Sequence, residues 1–208
     1  MTKNADRSNG YEAVAAEFAE RRSASIIGLG TLRNWAKQLP AGASLLDLGC
    51  GTGVTVTQEL VRLGFSVAGI DPSPTLIAEF RRQIPGAPWA CESAEDSAFF
   101  GRKFDAVLAI GLMFLLPEDV QRTVIIKVGE ALESGGRFLF TAPHQQCEWV
   151  DVLTGRKSVS MGEDQYETVL LRAGLTVTGK YVDEGENYYF DSRKTGAPSP
   201  LPLANEGE

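Results

Sequence analysis

The sequence predicts an α/β fold: a mostly parallel, doubly wound sheet with helices on both faces. Three observations predict it. Apolar strand-like runs alternate with helical segments between residues 44 and 142, the pattern of a parallel sheet buried on both sides. The first run, Ser44–Leu48, ends in the glycine-rich turn Gly49-Cys50-Gly51-Thr52-Gly53, which opens a helix. Near the end, two strand-like runs joined by Asp183-Glu184-Gly185-Glu186-Asn187 read as a hairpin, so one strand there is antiparallel.

Each element has its own signal. Asn9 is positioned to cap a helix over residues 10–22, where Tyr11, Val14, Ala15 and Phe18 share a face. A second helix is expected over 26–39, stopped by Pro40. Strand 44–48 then leads to helix 54–63, and strand 66–70 to helix 75–84, which Pro85-Gly86 ends. A short strand at 88–91 and a strongly apolar one at 104–110 follow. A helix over 118–132 stops at Ser134-Gly135-Gly136, and a strand over 137–142 is broken by Pro143. Residues 148–158 have no regular period and read as a long loop over the carboxyl edge of the sheet, where specificity resides in such folds. A helix at 163–172 and strands at 175–181 and 188–192 complete a single expected domain over 1–194. The Pro-, Gly- and Glu-rich stretch 195–208 is expected to be a disordered tail.

Composition narrows the function. A formal net charge of −7 argues against nucleic acid, whose binding requires phosphate neutralisation. No apolar run reaches the roughly 18 residues of a membrane span, and the first residues lack a signal-peptide core, so a cytoplasmic protein is expected. Three cysteines without C-x-x-C spacing and a single histidine, His144, give neither a disulfide framework nor a metal site. Nothing in the sequence fixes the oligomeric state.

The glycine turn narrows the ligand. In the dinucleotide fingerprint G-x-G-x-x-G the third glycine packs helix against sheet; here that position is Val54, and glycine comes one residue early, at Gly53. Asp47 stands two residues before the first glycine, where a carboxylate suits an ammonium group and repels a pyrophosphate. Asp71 ends the second strand, 22 residues after Gly49, the place from which an acidic side chain accepts hydrogen bonds from ribose hydroxyls. It is also suited, with Ser73, to cap the helix that Pro74 opens.

Asp47-x-Gly49-x-Gly51-x-Gly53, followed by Asp71, resembles motif I and its ribose-binding partner in the class I S-adenosylmethionine-dependent methyltransferases, and the stretch from about Tyr11 to Lys194 resembles that superfamily, in particular its bacterial small-molecule enzymes. The resemblance implies a Rossmann-like seven-stranded sheet ending in a hairpin, S-adenosylmethionine as cofactor and S-adenosylhomocysteine as product. It implies a cofactor site at Asp47, Gly49, Cys50, Gly51, Asp71 and Pro72. The loop Glu92-Ser93-Ala94-Glu95-Asp96 lies where family members read adenine; Ser93 stands where many carry Asp, so Ser93, Ala94 and Glu95 are the candidates, with Glu92 a substitute. Ile110 and Gly111 bring backbone close to the methionine moiety. The amine-binding tetrapeptide N/D-P-P-Y/F is absent after Ile110, as is the histidine that many small-molecule members carry near Phe114.

Methyl transfer needs the nucleophile held in line with the sulfonium methyl and water kept out. For a base, His144 and Tyr11 are the catalytic candidates, with Tyr188 a third. The helical segment over 10–39 is expected to act as a lid. Substrate-pocket candidates are Tyr11, Phe18, Arg21, Met113, Phe114, Trp149 and Tyr188; Arg21 or Arg22 suits a carboxylate, and Met113 and Phe114 read equally as core. A small-molecule methyltransferase is the leading reading. A protein or nucleic-acid methyltransferase, and a non-catalytic S-adenosylmethionine-binding protein on the same fold, are the alternatives. Val54 and Asp47 disfavour a dehydrogenase.

Overall fold

A computed structural model describes residues 6–195; the expected tail lies outside them apart from Thr195. Seven strands form one sheet: β1 (Ser44–Leu48), β2 (Ser66–Ile70), β3 (Trp89–Ala90), β4 (Phe104–Ala109), β5 (Leu132–Thr141), β8 (Leu175–Val182) and β9 (Tyr188–Lys194). Two more, β6 (Gln146–Val150) and β7 (Lys157–Met161), pair separately. The order across the main sheet is β3-β2-β1-β4-β5-β9-β8, and only β9 runs antiparallel to its neighbours β5 and β8. The predicted class, including the terminal hairpin, is the observed one.

Period-2 alternation divides each central strand between two cores. Val107 and Ala109 of β4, with Leu46 and Leu48 of β1, face one core, closed by α5 (Glu118–Ala131) and α6 (Glu163–Arg172). Ala106 and Leu108, with Leu45, face the other, closed by α2 (Leu29–Ala36) and α3 (Val56–Arg62). A further helix, α4 (Pro74–Gln83), begins with Ser73 accepting a hydrogen bond from the Leu76 N–H and with Pro74 in its first turn. No helix among the described residues is long and apolar enough to cross a membrane.

Four boundaries differ from expectation for identifiable reasons. The first helix is a 3-10 turn, Tyr11–Val14, running into α1 (Ala15–Ser23). Asn9 does not cap it: Asn9 has φ 51°, and the Ser8 hydroxyl accepts from the Glu12 N–H instead. The second helix is shorter at both ends, opening after Gly28, whose φ of 81° breaks the backbone there. The Gly135-Gly136 pair does not separate α5 from its strand; β5 begins at Leu132 and absorbs the extra residues in an irregularity opposite Phe104 and Ala106. Residues 148–158, expected to be one long loop, are most of a hairpin, β6 with β7. Fully buried Gln121 of α5 fastens that hairpin: its amide donates to the carbonyls of Leu116 and Val159, and it accepts from the Tyr166 hydroxyl at 2.6 Å.

α5 and α6 touch at Gly129, where an added Cβ would lie 2.4 Å from the Ala173 carbonyl oxygen. Alanine is the better helix former by about 1 kcal/mol, but backbone on backbone cannot yield as a side chain does. Gly129→Ala is therefore expected to destabilise the fold by about 1–3 kcal/mol, measured as a lower urea midpoint at unchanged slope; an unchanged or higher midpoint would refute this account of the contact.

Candidate active site

A cavity of about 230 Å³ opens at the carboxyl edge of the sheet, between the ends of β1 and β4. This is the point where chain order reverses, β1 leading outward to β2 and β3 while β4 and β5 lie on its other side, and it is where open α/β sheets bind ligands. Of the residues assigned to a cofactor from sequence, Gly49, Asp71, Pro72, Ile110 and Gly111 line it. Gly49 and Gly51 have φ of 69° and 55°, which L side chains resist. The Gly49 and Cys50 N–H groups hold the turn to the Ile70 carbonyl.

The two acidic residues are both buried. Asp71 accepts from the Gly51 N–H at 3.0 Å and the Ser73 N–H at 2.9 Å, one on each oxygen. Burial pushes its carboxyl up to about 6 against these hydrogen bonds, which favour the ion, and the charge of Glu12 adds to the rise. Asp47 accepts from the Thr57 hydroxyl at 2.6 Å. Burial pushes it up to about 7; Thr57 and the Arg22 guanidinium oppose this and the charge of Asp71 adds to it. Two carboxylates buried at such cost at the ends of neighbouring strands mark a candidate binding site. Burial likewise raises the Cys50 thiol well above its ordinary value.

The loop after β3 sits beside the cavity rather than in its wall. Ser93 is buried and its hydroxyl donates to Asp96 at 2.9 Å. The Lys127 ammonium fixes the loop by donating to the carbonyls of Ala94, Glu95 and Ser97. Glu95 is paired with Arg7 at 3.1 Å, and Arg7 also reaches Asp96 at 3.2 Å.

Residues 6–14 form a strap over the site, fastened at three places. Arg7 pairs with the loop just described. Glu12 accepts from the Thr75 hydroxyl at 2.7 Å and from the Thr75 N–H at 3.2 Å at the start of α4. Asp6 pairs with Arg156 at 2.9 Å and the Tyr11 hydroxyl donates to Asp151 at 3.2 Å, both in the β6–β7 turn. Tyr11 and Phe18 meet edge to face at 5.2 Å and both line the cavity.

Several candidates stand elsewhere than expected. Arg21 is exposed and paired with Glu17 one turn away; Arg22, about 100° further round the helix, lines the cavity and has no ion-pair partner among the described residues. Met113 is fully buried in the core and is not part of the wall, whereas Phe114 is. Trp149 packs behind Phe114, ring centroids 5.4 Å apart. His144 and Tyr188 lie against each other at 5.0 Å, outside the cavity, and the Tyr188 hydroxyl donates to Glu163. Of the two adjacent β9 tyrosines, the one in the wall is Tyr189, together with Thr141 and Asn187. Strand alternation sends Tyr188 and Tyr189 to opposite faces, and the signal available in sequence was the spacing Asn187, Tyr189, Asp191 on one face.

The methyltransferase-domain family Methyltransf_25 matches residues 45–136, which hold the glycine turn, Asp71 and the end of β4. An uncharacterized methyltransferase of Synechocystis sp. is 30% identical over 156 residues, 69% of this chain and 72% of that one. Among solved structures, a TehB-like S-adenosylmethionine-dependent methyltransferase from Corynebacterium glutamicum superposes with a TM-score of 0.68 at 22% identity, covering 88% of this chain and 99% of that one. The 1,6-didemethyltoxoflavin-N1-methyltransferase of Burkholderia thailandensis, with S-adenosylhomocysteine bound, gives 0.68 at 17%, covering 91% and 85%. Sequence and fold agree with the turn, the two carboxylates and the crevice: the chain belongs to the class I S-adenosylmethionine-dependent methyltransferases.

Proposed function

We propose that the protein transfers the methyl group of S-adenosylmethionine to a small-molecule acceptor by in-line displacement. The observation that carries this reading is the pair of buried carboxylates beside a glycine turn, Asp71 in the wall of a roofed cavity and Asp47 buried outside that wall. Asp71 accepts from the ribose hydroxyls, since each of its oxygens spends only one lone pair on Gly51 or Ser73. Asp47 holds the methionine ammonium, and Arg22, close enough to influence Asp47, holds the carboxylate. Pro72, Ser93, Ala94 and Glu95 surround the adenine, and Ile110 and Gly111 lie along the methionine chain. When bound, the cofactor supplies a methyl on a positively charged sulfur and a neutral thioether as leaving group. The protein aligns the acceptor and excludes water; the strap, with Tyr11 and Phe18, does the latter as a lid.

The roof and the formal charge of −7 favour a small acceptor over a protein or nucleic acid. Three free cysteines suit the reducing cytoplasm. Calorimetry with S-adenosylmethionine, S-adenosylhomocysteine and NAD tests the cofactor, with binding of the first two expected; binding of NAD alone would overturn the reading. Deuterated-methyl cofactor incubated with a metabolite extract tests turnover, with labelled product expected. Asp71→Ala is expected to weaken S-adenosylhomocysteine binding by about 2–3 kcal/mol, roughly 30- to 150-fold, as charge-assisted hydrogen bonds are lost; unchanged affinity would remove Asp71 from the ribose.

A further inference from the structure

The acceptor half of the cavity has an unusual donor and acceptor pattern, and it bears on the chemistry of the methylated atom. The sheet order puts Asp71, at the end of β2, and Tyr189, at the start of β9, on opposite flanks of the crevice. On the Tyr189 flank the polar wall is made of Tyr189, Asn187 and Thr141, with Tyr11 on the strap. The Tyr189 hydroxyl donates to Asp183 at 2.8 Å. The Asn187 side-chain amide donates to both oxygens of Asp183 at 3.0 Å, which leaves its carbonyl free. The Tyr11 hydroxyl donates to Asp151. The protons of all three groups are thus committed to carboxylates behind the wall, and these three groups offer oxygen lone pairs to whatever enters.

These commitments are built in. Asp183 is buried and also receives the N–H groups of Gly185 and Asn187, a set of donors that keeps it an ion. Tyr189 is buried in the core beside α2, and Gly28 gives it room: a Cβ there would stand 2.3 Å from the Tyr189 hydroxyl and 2.9 Å from an Asp183 oxygen. The hydroxyl can turn its proton nowhere else without abandoning a buried carboxylate. Thr141, which accepts from the Gly111 N–H at 2.7 Å, keeps a proton of its own to give.

The same wall lacks a base. Among the described residues no imidazole lines the cavity, and the only carboxylate that does is Asp71, on the cofactor flank. An alcohol attacking the methyl becomes an acidic oxonium and needs a base to take its proton. A carboxylate or thiolate acceptor would meet lone pairs backed by the charges of Asp151 and Asp183, and Arg22, the cation in the wall within reach of both Asp47 and Tyr189, is taken up by the cofactor carboxylate in the reading above. A neutral amine needs neither a base nor a cation. Its lone pair forms the new N–C bond, the C–S electron pair goes to sulfur, and the nitrogen keeps its protons and leaves as an ammonium ion. While it waits, one N–H donates to Tyr189 and aims the lone pair away from the wall. An amine that arrives charged is attracted by the faces of Tyr11 and Phe18 and gives its extra proton to bulk water on entry, before its lone pair can attack.

We propose that the acceptor is an amine, recognised by Tyr189 in the state imposed by Asp183. This rests on the methyltransferase reading and names its substrate class. The test uses the full chain loaded with S-adenosylhomocysteine and four probes matched in size: benzylamine, benzyl alcohol, benzyl mercaptan and benzoate, with binding read by ligand-observed NMR titration. Benzylamine is expected to bind at least about tenfold tighter than the other three. Tyr189→Phe, which keeps the ring in the core, is expected to weaken benzylamine about five- to tenfold with S-adenosylhomocysteine affinity unchanged, the variant folding with a somewhat lower melting temperature because Asp183 loses one buried donor. Benzoate, mercaptan or alcohol binding as well as the amine would overturn the proposal, as would loss of nothing in Tyr189→Phe or no amine binding to the loaded protein. Failure of S-adenosylhomocysteine itself to bind would instead overturn the cofactor reading beneath it.

Discussion

Asp47→Asn is expected to stabilise the cofactor-free protein at pH 8 and to abolish most of its affinity for S-adenosylmethionine. Burial lifts the Asp47 carboxyl to about 7, against about 3.9 in an unfolded chain. The native state thus binds this proton more tightly than the unfolded state does. The resulting contribution to stability is complete below about pH 4 and is lost as pH rises through 7. At pH 8 the fold carries an ionised buried group at a cost of about 2–4 kcal/mol. Asparagine carries no charge and its carbonyl still accepts from Thr57, so the urea midpoint should rise at pH 8 and change little at pH 4. The ammonium of the cofactor then has no counter-ion, and affinity should fall by about 100-fold or more. In the unmutated protein, S-adenosylhomocysteine affinity should fall as pH drops from 8 to 6, and binding near pH 7 should release protons, detectable by calorimetry in buffers of different ionisation enthalpy. Asp71, lifted to about 6, titrates just below, so the two will be seen as one broad transition. A variant less stable than the parent at pH 8, or one that binds normally, would refute the assignment.

Asp191→Ala is expected to cost about 3–5 kcal/mol, the penalty for orphaning a buried charge. Asp191 in β9 is fully buried and pairs with Arg137 of β5, whose side chain is 12% exposed. It also accepts from the Trp35 indole N–H of α2 at 3.1 Å and from the Tyr181 hydroxyl of β8 at 2.9 Å. One carboxylate therefore joins a helix to three strands. Arg137 already has an unpartnered buried Nε, so losing Asp191 strands the guanidinium. The double change Asp191→Leu with Arg137→Met should recover much of the loss, because an apolar pair has no charge to leave behind. Urea titrations of the single and double variants measure both; a single-variant loss under about 1 kcal/mol would show that the network carries little weight.

The parts of the molecule legible in sequence were those set by local backbone chemistry. Glycine spacing, a carboxylate at a strand end and the strand–helix alternation each depend on a few adjacent residues, and Asp47, Gly49 and Asp71 fell where that chemistry put them. What was not legible depended on which way a side chain turns. Arg21 and Arg22 differ by one step of a helix, and Tyr188 and Tyr189 by one step of a strand; either step moves a group between solvent or core and the cavity. The β6–β7 hairpin was missed because β7 buries Ser158 and Ser160 beside Val159 and Met161. Serine signals turns in sequence, and Ser160 is content inside only because its hydroxyl donates to the Pro143 carbonyl, a partner that no window of sequence contains. Asn9 misled for the reverse reason: a good cap by type, it lost the position to Ser8, which Asp6 holds in place.

The reversed direction of β9 has a consequence for how such an enzyme can change. Parallel strands deliver only their carboxyl ends to the crevice, each already committed to a crossover connection. An antiparallel strand delivers its amino end, and with it a free turn, residues 183–187, which carries Asp183 and Asn187 and leads straight into Tyr189. In the proposed reading, donor and acceptor recognition are thereby written in separate segments more than a hundred residues apart in the chain, Asp47 to Asp71 and Asp183 to Tyr189. Rewriting the second, by changing the length or lettering of one hairpin turn, retunes which molecule is accepted while the methyl donor stays the same.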